Sequence, residues 1–554
     1  MSVFIGYPSF MAYQMMKGKK GNNDGFPSIP GMIARYSALG LTNEQMAANP
    51  VWKDLTGNGH DLQMKNFGWS GMSGVGGYVE NYNRWTKSAV RADITFTDHS
   101  FNVTSVKINQ VQFYYQSSGG EQPFTVPSGT VIVKGLTDGQ VLEYIYTDIE
   151  GRHVFTVKND GIYTLPSFEF IAKGAYYGFQ FNKVQESCNI TIEQLPLYPG
   201  ALVFDGVDDY GTCDNFPILT KEKGYTVVAL RQWDQDFLNT TLTGGLLSTR
   251  NYSTGEGVAF EKIESSSKGY WNLGAGGIID FAKSPFTWQT SKQYNNVGIL
   301  KGGKNHGKPL CVGCGLSGRQ HCGRFAIWEL VILDHDATEE ELTKIKDYFV
   351  KTYPWLFFDQ AWTVVGKTNE DEDRATIANI TGNGNDLVCL NLGFIEGSGY
   401  NEEGEYAGYL VTDGVDDKIT SSTFEMGNDW TVIGDWELIN TGKNNNAGIV
   451  KFDSIVIYNY NPILINIKNG RNNLIPDQNT VNAICSDGRI YSKDWKESIY
   501  NEETESTSKN LLTIGYSGNS YTKIAFKNLA IYPTVLSKED CIKAYNYLQT
   551  LKAK

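Results

Sequence analysis

The feature that most constrains this chain is a set of segments that it carries twice. "TGNGHDL" at Thr56–Leu62 returns as "TGNGNDL" at Thr381–Leu387. "VFDGVDDYGT" at Val203–Thr212 returns as "VTDGVDDKIT" at Val411–Thr420. "LCVGCGLSG" (Leu310–Gly318) matches "LTIGYSGNS" (Leu512–Ser520), and "RFAIWELVIL" (Arg324–Leu333) matches "KIAFKNLAIY" (Lys523–Tyr532). The offset between copies is not constant. It is 325 residues from Gly57 to Gly382, 208 from Gly206 to Gly414, and 202 from Gly313 to Gly515. About 117 residues are therefore inserted in the first copy, between TGNG and DGVDD; the second copy crosses that interval in 32 residues, Gly382 to Gly414. The chain reads as an internal duplication, one duplicate carrying a guest domain.

At about 150 residues per domain, 554 residues hold three or four domains. The boundaries that follow are an N-terminal arm at 1–30, a discontinuous first domain at 31–77 and 200–357, a guest at 78–199 and a second repeat domain at 358–554. The guest reads as seven short strands, among them "SVKINQVQFYY", "VLEYIYTD" and "GIYTLPSFEFIA", separated by turn signals such as "TDGQ" and "KNDG". Apolar and polar residues alternate along them, as in half-buried strands, and seven such strands suggest a small β-sandwich. Each repeat closes with a helix. Thr338 and Glu341 form a T-x-x-E capping box ahead of Leu342, Ile345 and Phe349; Ser537 and Asp540 do the same ahead of Cys541, Tyr545 and Leu548.

The formal net charge is −13. Phosphate binding needs clustered Lys and Arg, so nucleic acid is not an expected partner; the one basic run, Lys17–Lys20, reads as a solvated tail. No stretch approaches the roughly 18 apolar residues that span a bilayer. The opening "MSVFIGYPSFMAYQMMKGKK" lacks a basic n-region and does not read as a signal peptide. The arm "MMKGKKGNNDGFPSIPG" is either a frayed terminus or an anchor to a larger assembly. Eight scattered Cys are too few for a disulfide scaffold, and most are expected to be reduced and buried.

The repeated motifs resemble the concanavalin A-like, laminin G-like jelly roll. The first copy carries "VWKDLTGNGHDL", "ALVFDGVDDYGT", "YTVVALRQW", "LCVGC" and "GRFAIWELVIL"; the second keeps "ITGNGNDL", "TDGVDDKI", "WTVIGDW", "LTIGYSG" and "IAFKNLAIYPTVLSKEDC". It departs from the pattern at Thr412, where Phe is usual, and lacks the Trp before Asn379. The resemblance implies an all-β protein of two jelly-roll sandwiches, the first interrupted by a small sandwich, with short closing helices. It does not specify a function, because the family spans lectins, carbohydrate-binding modules, glycosidases and adhesive modules. The Asn- and Tyr-rich style with its inserted sandwich is also similar to virion proteins of phages of gut Bacteroidetes, including crAss-like phages.

Candidate sites each have a plainer reading beside the functional one. Asp205, Asp208 and Asp209, with Asp413, Asp416 and Asp417, offer oxygens of the kind Ca²⁺ takes, or serve as strand-ending turns around Gly206 and Gly414. Gly57–Asn58–Gly59 lacks the Lys and helix of a phosphate loop and reads as a tight turn. Cys311, Cys314, His321 and Cys322 have zinc-ligand types, but the second copy has none of them there. Asp435 and Glu437 share a strand face like a glycosidase pair, against Leu230 and Gln232 in the first copy, and read as solvated. Trp69, Trp271, Trp288 and Trp495, placed in loops, are candidate sugar platforms, with half-buried packing as the alternative.

The expectation is a non-enzymatic structural and adhesive protein of a phage virion: a head-fibre, decoration or tail-associated component. It would contact other virion proteins, further copies of itself or host-surface glycans, with no cofactor required. A bacterial cell-surface lectin is the alternative and a glycosidase the third reading.

Overall fold

The computed structural model describes residues 24–87, 92–106, 111–116, 123–137, 139–171, 175–182, 187–217, 219, 224–238, 240–249, 259–262, 268–271, 278–280, 286–290, 310–315, 321–382, 384–401, 406–439, 448–452, 455–458, 463–467, 471–475, 481–492, 495–499, 510–517 and 520–553. Lys17–Lys20 and most of the arm lie outside them.

The described chain is built of antiparallel β-sandwiches. In the first, one sheet runs Phe286–Thr290, Thr226–Trp233, Arg324–Leu333, Leu202–Asp205, Gly74–Val75, with Met32–Ser37 also beside Arg324–Leu333. The facing sheet runs Val51–Trp52, Leu62–Lys65, Tyr210–Cys213, Leu310–Val312, Gly244–Ser248, Ala259–Lys262, Lys268–Trp271, Ile278–Asp280. Trp52, Leu62, Phe204, Trp233 and Ile327 fill the space between. Every residue of Thr226–Trp233 is buried. A strand covered on both faces reads as a continuous apolar run, which is how "TVVALRQW" begins.

The second repeat has the same sheets in the same order. Its first sheet runs Gly399–Asn401, Tyr409–Val411, Ile524–Tyr532, Thr431–Leu438, Val481–Cys485, then Arg489–Ser492 and Glu497–Ile499, with Gln360–Thr363 beside Ile524–Tyr532. Its facing sheet runs Thr376–Ile377, Leu387–Leu390, Lys418–Phe424, Asn510–Ile514, Gly448–Phe452, Ile455–Tyr458, Ile463–Ile467, Arg471–Ile475. The long strand pair even keeps its bulge, between Leu230 and Arg231 in one copy and Asp435 and Trp436 in the other.

The inserted segment packs two five-stranded sheets and a two-stranded ribbon. One sheet runs Gly161–Leu165, Gly129–Lys134, Ser187–Gln194, Ser100–Val106, Ala92–Phe96. The other runs Gly151–Val157, Val141–Asp148, Tyr176–Asn182, Val111–Gln116, Thr86–Lys87. This is more than the seven strands read from sequence. "GIYTLPSFEFIA" is one strand on paper and two here, Gly161–Leu165 and Phe168–Phe170, because Pro166 has no N–H to continue a ladder.

Both helices start as their caps require. Thr338 Oγ1 accepts from Glu341 N at 3.3 Å while Thr338 N donates to Glu341 Oε2 at 2.8 Å, and Ser537 Oγ accepts from Asp540 N at 3.1 Å. Leu342, Ile345 and Phe349 are buried, as are Cys541, Tyr545 and Leu548.

The chain divides into two compact units, Met1–Gly76 with Gly200–Thr352, and Gly77–Pro199 with Tyr353–Lys554. Within the latter, Tyr545 of the closing helix hydrogen-bonds Thr164 of the inserted sandwich.

Candidate functional site

The opening heptapeptide is a knot of turn hydrogen bonds. Asp54 Oδ1 accepts from Arg35 N (3.2 Å), Thr56 N (3.0 Å) and Thr56 Oγ1 (2.7 Å), and its Oδ2 accepts from His60 N (3.1 Å). Gly57 and Gly59 take φ of +82° and +81°, where a side chain is strained. In the second copy Asn379 does the same work. Its Oδ1 accepts from Ala361 N (3.3 Å), Thr381 N (3.1 Å) and Thr381 Oγ1 (2.8 Å), and its Nδ2 donates to Gly384 O at 2.7 Å.

DGVDD is likewise a turn, twice. Val207 N and Asp208 N donate to Asp205 Oδ1 at 2.7 and 3.4 Å; Asp205 N and Ser73 Oγ donate to the two oxygens of Asp209, each at 3.0 Å. Val415 N and Asp416 N donate to Asp413 Oδ1 at 2.7 and 3.3 Å, and Asp413 N donates to Asp417 Oδ2 at 2.8 Å. Gly206 and Gly414 have φ of +77° and +78°. Burial pushes the Asp209 carboxyl up to about 7, with the Asp205 charge adding to it, and burial raises Asp417 as well. The three carboxylates of each turn cluster, and Asp205 and Asp209, like Asp413 and Asp417, already use oxygens to hold the turn's N–H groups.

Cys314 and Cys322 form a disulfide, and Cys311 is a buried thiol outside it, on Leu310–Val312. Most of the cysteines stay outside any disulfide, as expected, and the zinc alternative is broken because two of its sulfurs are bonded to each other. Cys213, Cys389, Cys485 and Cys541 are buried and in no disulfide, as expected.

The tryptophans separate. Trp69 is half-buried with φ +48°; its ring stacks on Phe67 at 4.6 Å, and Phe67 meets Phe204 of the core at 5.1 Å. The second copy puts Phe394 in the same left-handed turn, φ +52°. A Cβ on Gly74 would lie 3.0 Å from Trp69 Cα, and one on Gly399 would lie 2.7 Å from Phe394 Cα. Trp69 thus has a shared turn geometry to explain it and one ring face already used. Trp495 is 3% exposed, its ring 5.7 Å from Tyr545 and 6.1 Å from Tyr491. With no face open to a sugar, it leaves the platform set. Trp271 and Trp288 lie on the strands Lys268–Trp271 and Phe286–Thr290, not in loops, and their side chains lie outside the described residues.

Asp435 corrects another expectation, since it is buried rather than solvated. Tyr409 Oη donates to its Oδ1 at 3.1 Å, Tyr545 also bonds it, and Lys527 lies 5.5 Å from the centroid of the Tyr409 ring. Burial lowers the Lys527 pKa, which the Asp435 charge opposes. Glu437 is half-buried. The pair faces the closing helix and not an open cleft.

Two buried polar centres have no local sequence signal. Arg35 forms a bidentate pair with Glu329 (3.2 and 3.3 Å) and donates to Tyr348 Oη at 3.0 Å and Asp24 at 2.6 Å. The arm's last residues are therefore docked, with Phe26 3.9 Å from the Arg35 guanidinium. In the insert, Glu80 accepts from Trp85 Nε1 (3.2 Å) and Tyr177 Oη (2.9 Å), and burial pushes its carboxyl up to about 7. Arg35 and Glu329 are 294 residues apart, and only the tertiary fold pairs them.

No known family profile matches the chain, and no curated protein does. Among solved structures, Trypanosoma rangeli sialidase with sialic acid is similar at TM-score 0.25 and 8% identity, over 85% of this chain and 97% of that one. The receptor-binding domain of botulinum neurotoxin C/D mosaic serotype is similar at TM-score 0.27 and 12% identity, over 59% of this chain and 88% of that one. Likeness at this level carries no argument about what this chain does.

Proposed function

We propose that this protein is a non-catalytic structural and adhesive component of a phage particle, a head-fibre, decoration or tail-associated protein. Its sandwich surfaces meet partner subunits and host-surface glycans. The observation that carries this reading is how the acids are used. Asp54, Asp205, Asp209, Asp413 and Asp417 hold turns, and Asp435 is buried beneath a helix. The repeated architecture spends its chemistry on rigid scaffolding, which suits a display protein. The Cys314–Cys322 disulfide fits exposure outside a reducing cytosol. It fits a bacterial surface lectin equally well.

Mass spectrometry of purified particles is the test. The protein present at stoichiometric abundance with capsid or tail proteins supports the reading. Its absence from particles, together with recovery from a bacterial surface, replaces it with the lectin. Sugar release abolished by Asp435→Asn with Glu437→Gln would contradict a non-catalytic role.

A further inference from the structure

We infer that the outer face of the inserted sandwich's sheet, around Tyr114, Tyr176, Glu143 and Gln180, binds a neutral glycan; this rests on the adhesive reading above. The sheet order Gly151–Val157, Val141–Asp148, Tyr176–Asn182, Val111–Gln116 sets these residues side by side. Phe113, Tyr144, Tyr177 and Phe179 alternate inward to the sandwich core. Their neighbours in sequence, Tyr114, Glu143, Tyr176 and Gln180, therefore share the opposite face.

That face has the composition of a sugar site. Tyr176 is 37% exposed, and its ring meets that of Tyr114 at 5.9 Å and 63°. Gly178 pairs with Tyr114 across the strands, and a Cβ there would lie 2.6 Å from Tyr114 Cβ. Only glycine lets the tyrosine lie so close. Next along the strand, Gln180 pairs with Glu143, and Gln180 Nε2 donates to Glu143 Oε2 at 3.1 Å. Alternate residues along a strand lie about 6.8 Å apart and adjacent strands about 4.8 Å apart, so Tyr114, opposite Gly178, stands about 8 Å from the amide–carboxylate pair and Tyr176, four residues from Gln180, about 13–14 Å, a row longer than a single sugar ring. Aromatic rings accept the C–H face of a sugar, and a carboxylate with an amide orders its hydroxyls. The Glu143 carboxylate, in a chain of net charge −13, disfavours acidic sugars.

The full-length chain is tested on an array of neutral hexose and N-acetylhexosamine oligomers beside sialylated glycans, in a concentration series. Wild type is compared with Tyr176→Ala, Tyr114→Ala, Glu143→Gln and Trp69→Ala, with thermal unfolding of each measured in parallel. The expected result is binding to neutral glycans that weakens at least about tenfold in Tyr176→Ala, the scale of one lost aromatic contact, while Trp69→Ala binds as wild type. Because Tyr176 is exposed, its variant keeps the test valid if Tyr114→Ala unfolds. Neutral-glycan binding unchanged in Tyr176→Ala, or lost only in Trp69→Ala, overturns this site and leaves glycan adhesion standing. Binding to sialylated glycans alone overturns it too. Silence across the array contradicts both this site and the glycan part of the adhesive reading, while presence in particles stays separately measurable.

Discussion

The two repeats keep one set of sheets and differ in the polar groups sealed inside them. In the first, Arg35 and Glu329 pair beneath Tyr348 of the closing helix. By strand register, Ala361 and Asn528 stand in their places in the second. There the buried charge has moved to Asp435, held by Tyr409 and Tyr545, where the first repeat has Leu230. The aromatic core moves in the same paired way. Tyr36 and Trp52 of the first repeat become Trp362 and Ile377. The hydroxyl of Tyr36 reaches His60 O at 2.5 Å, and the indole of Trp362 reaches the matching Asn385 O at 2.9 Å. Buried polar groups are costly when half satisfied, so these sites differ between repeats as matched sets rather than as single residues.

The largest expected break is Arg35→Ala, which strands Glu329 at 0% exposure. Loss of one partner of a buried pair costs about 3–5 kcal/mol, read as an earlier first transition in urea. Trp52→Ile should cost about 2–3 kcal/mol for the cavity it leaves, and adding Tyr36→Trp should recover part of that in the same experiment. In the second repeat, Tyr409→Phe should cost about 1–2 kcal/mol by leaving a buried Asp435 oxygen unpaired.

The pH dependence sharpens what the repeats share. Asp209 and Asp417 both have raised pKa values in the fold, so folding favours their protonated forms. That contribution is complete below the ordinary aspartate pKa of about 3.9 and is lost as pH rises toward about 7. Melting temperature should therefore fall from pH 4 to 7, and Asp209→Asn should flatten part of the fall. A slope unchanged by Asp209→Asn would contradict the burial of that carboxyl.

What was legible in the sequence acts over a few residues. Gly57, Gly206 and the T-x-x-E box at Thr338 announce their turns and cap because most of their donors and acceptors lie within six positions. The duplication was legible because both copies retain those turns, and the all-β class because the strands between them alternate. The rest depends on distant chain. Trp495 sits in "KDWKE", a polar surround that hides its packing on Tyr545. Asp435 is buried because a helix more than a hundred residues later covers it.

The most direct measurement is urea unfolding of the combined Arg35→Ala, Glu329→Asn variant, which installs the second repeat's residues in the first. If the polar sets exchange as wholes, the double variant should be more stable than Arg35→Ala alone, because no buried carboxylate is left without its guanidinium. A double variant no more stable than Arg35→Ala, with the two substitutions simply adding, would contradict that claim.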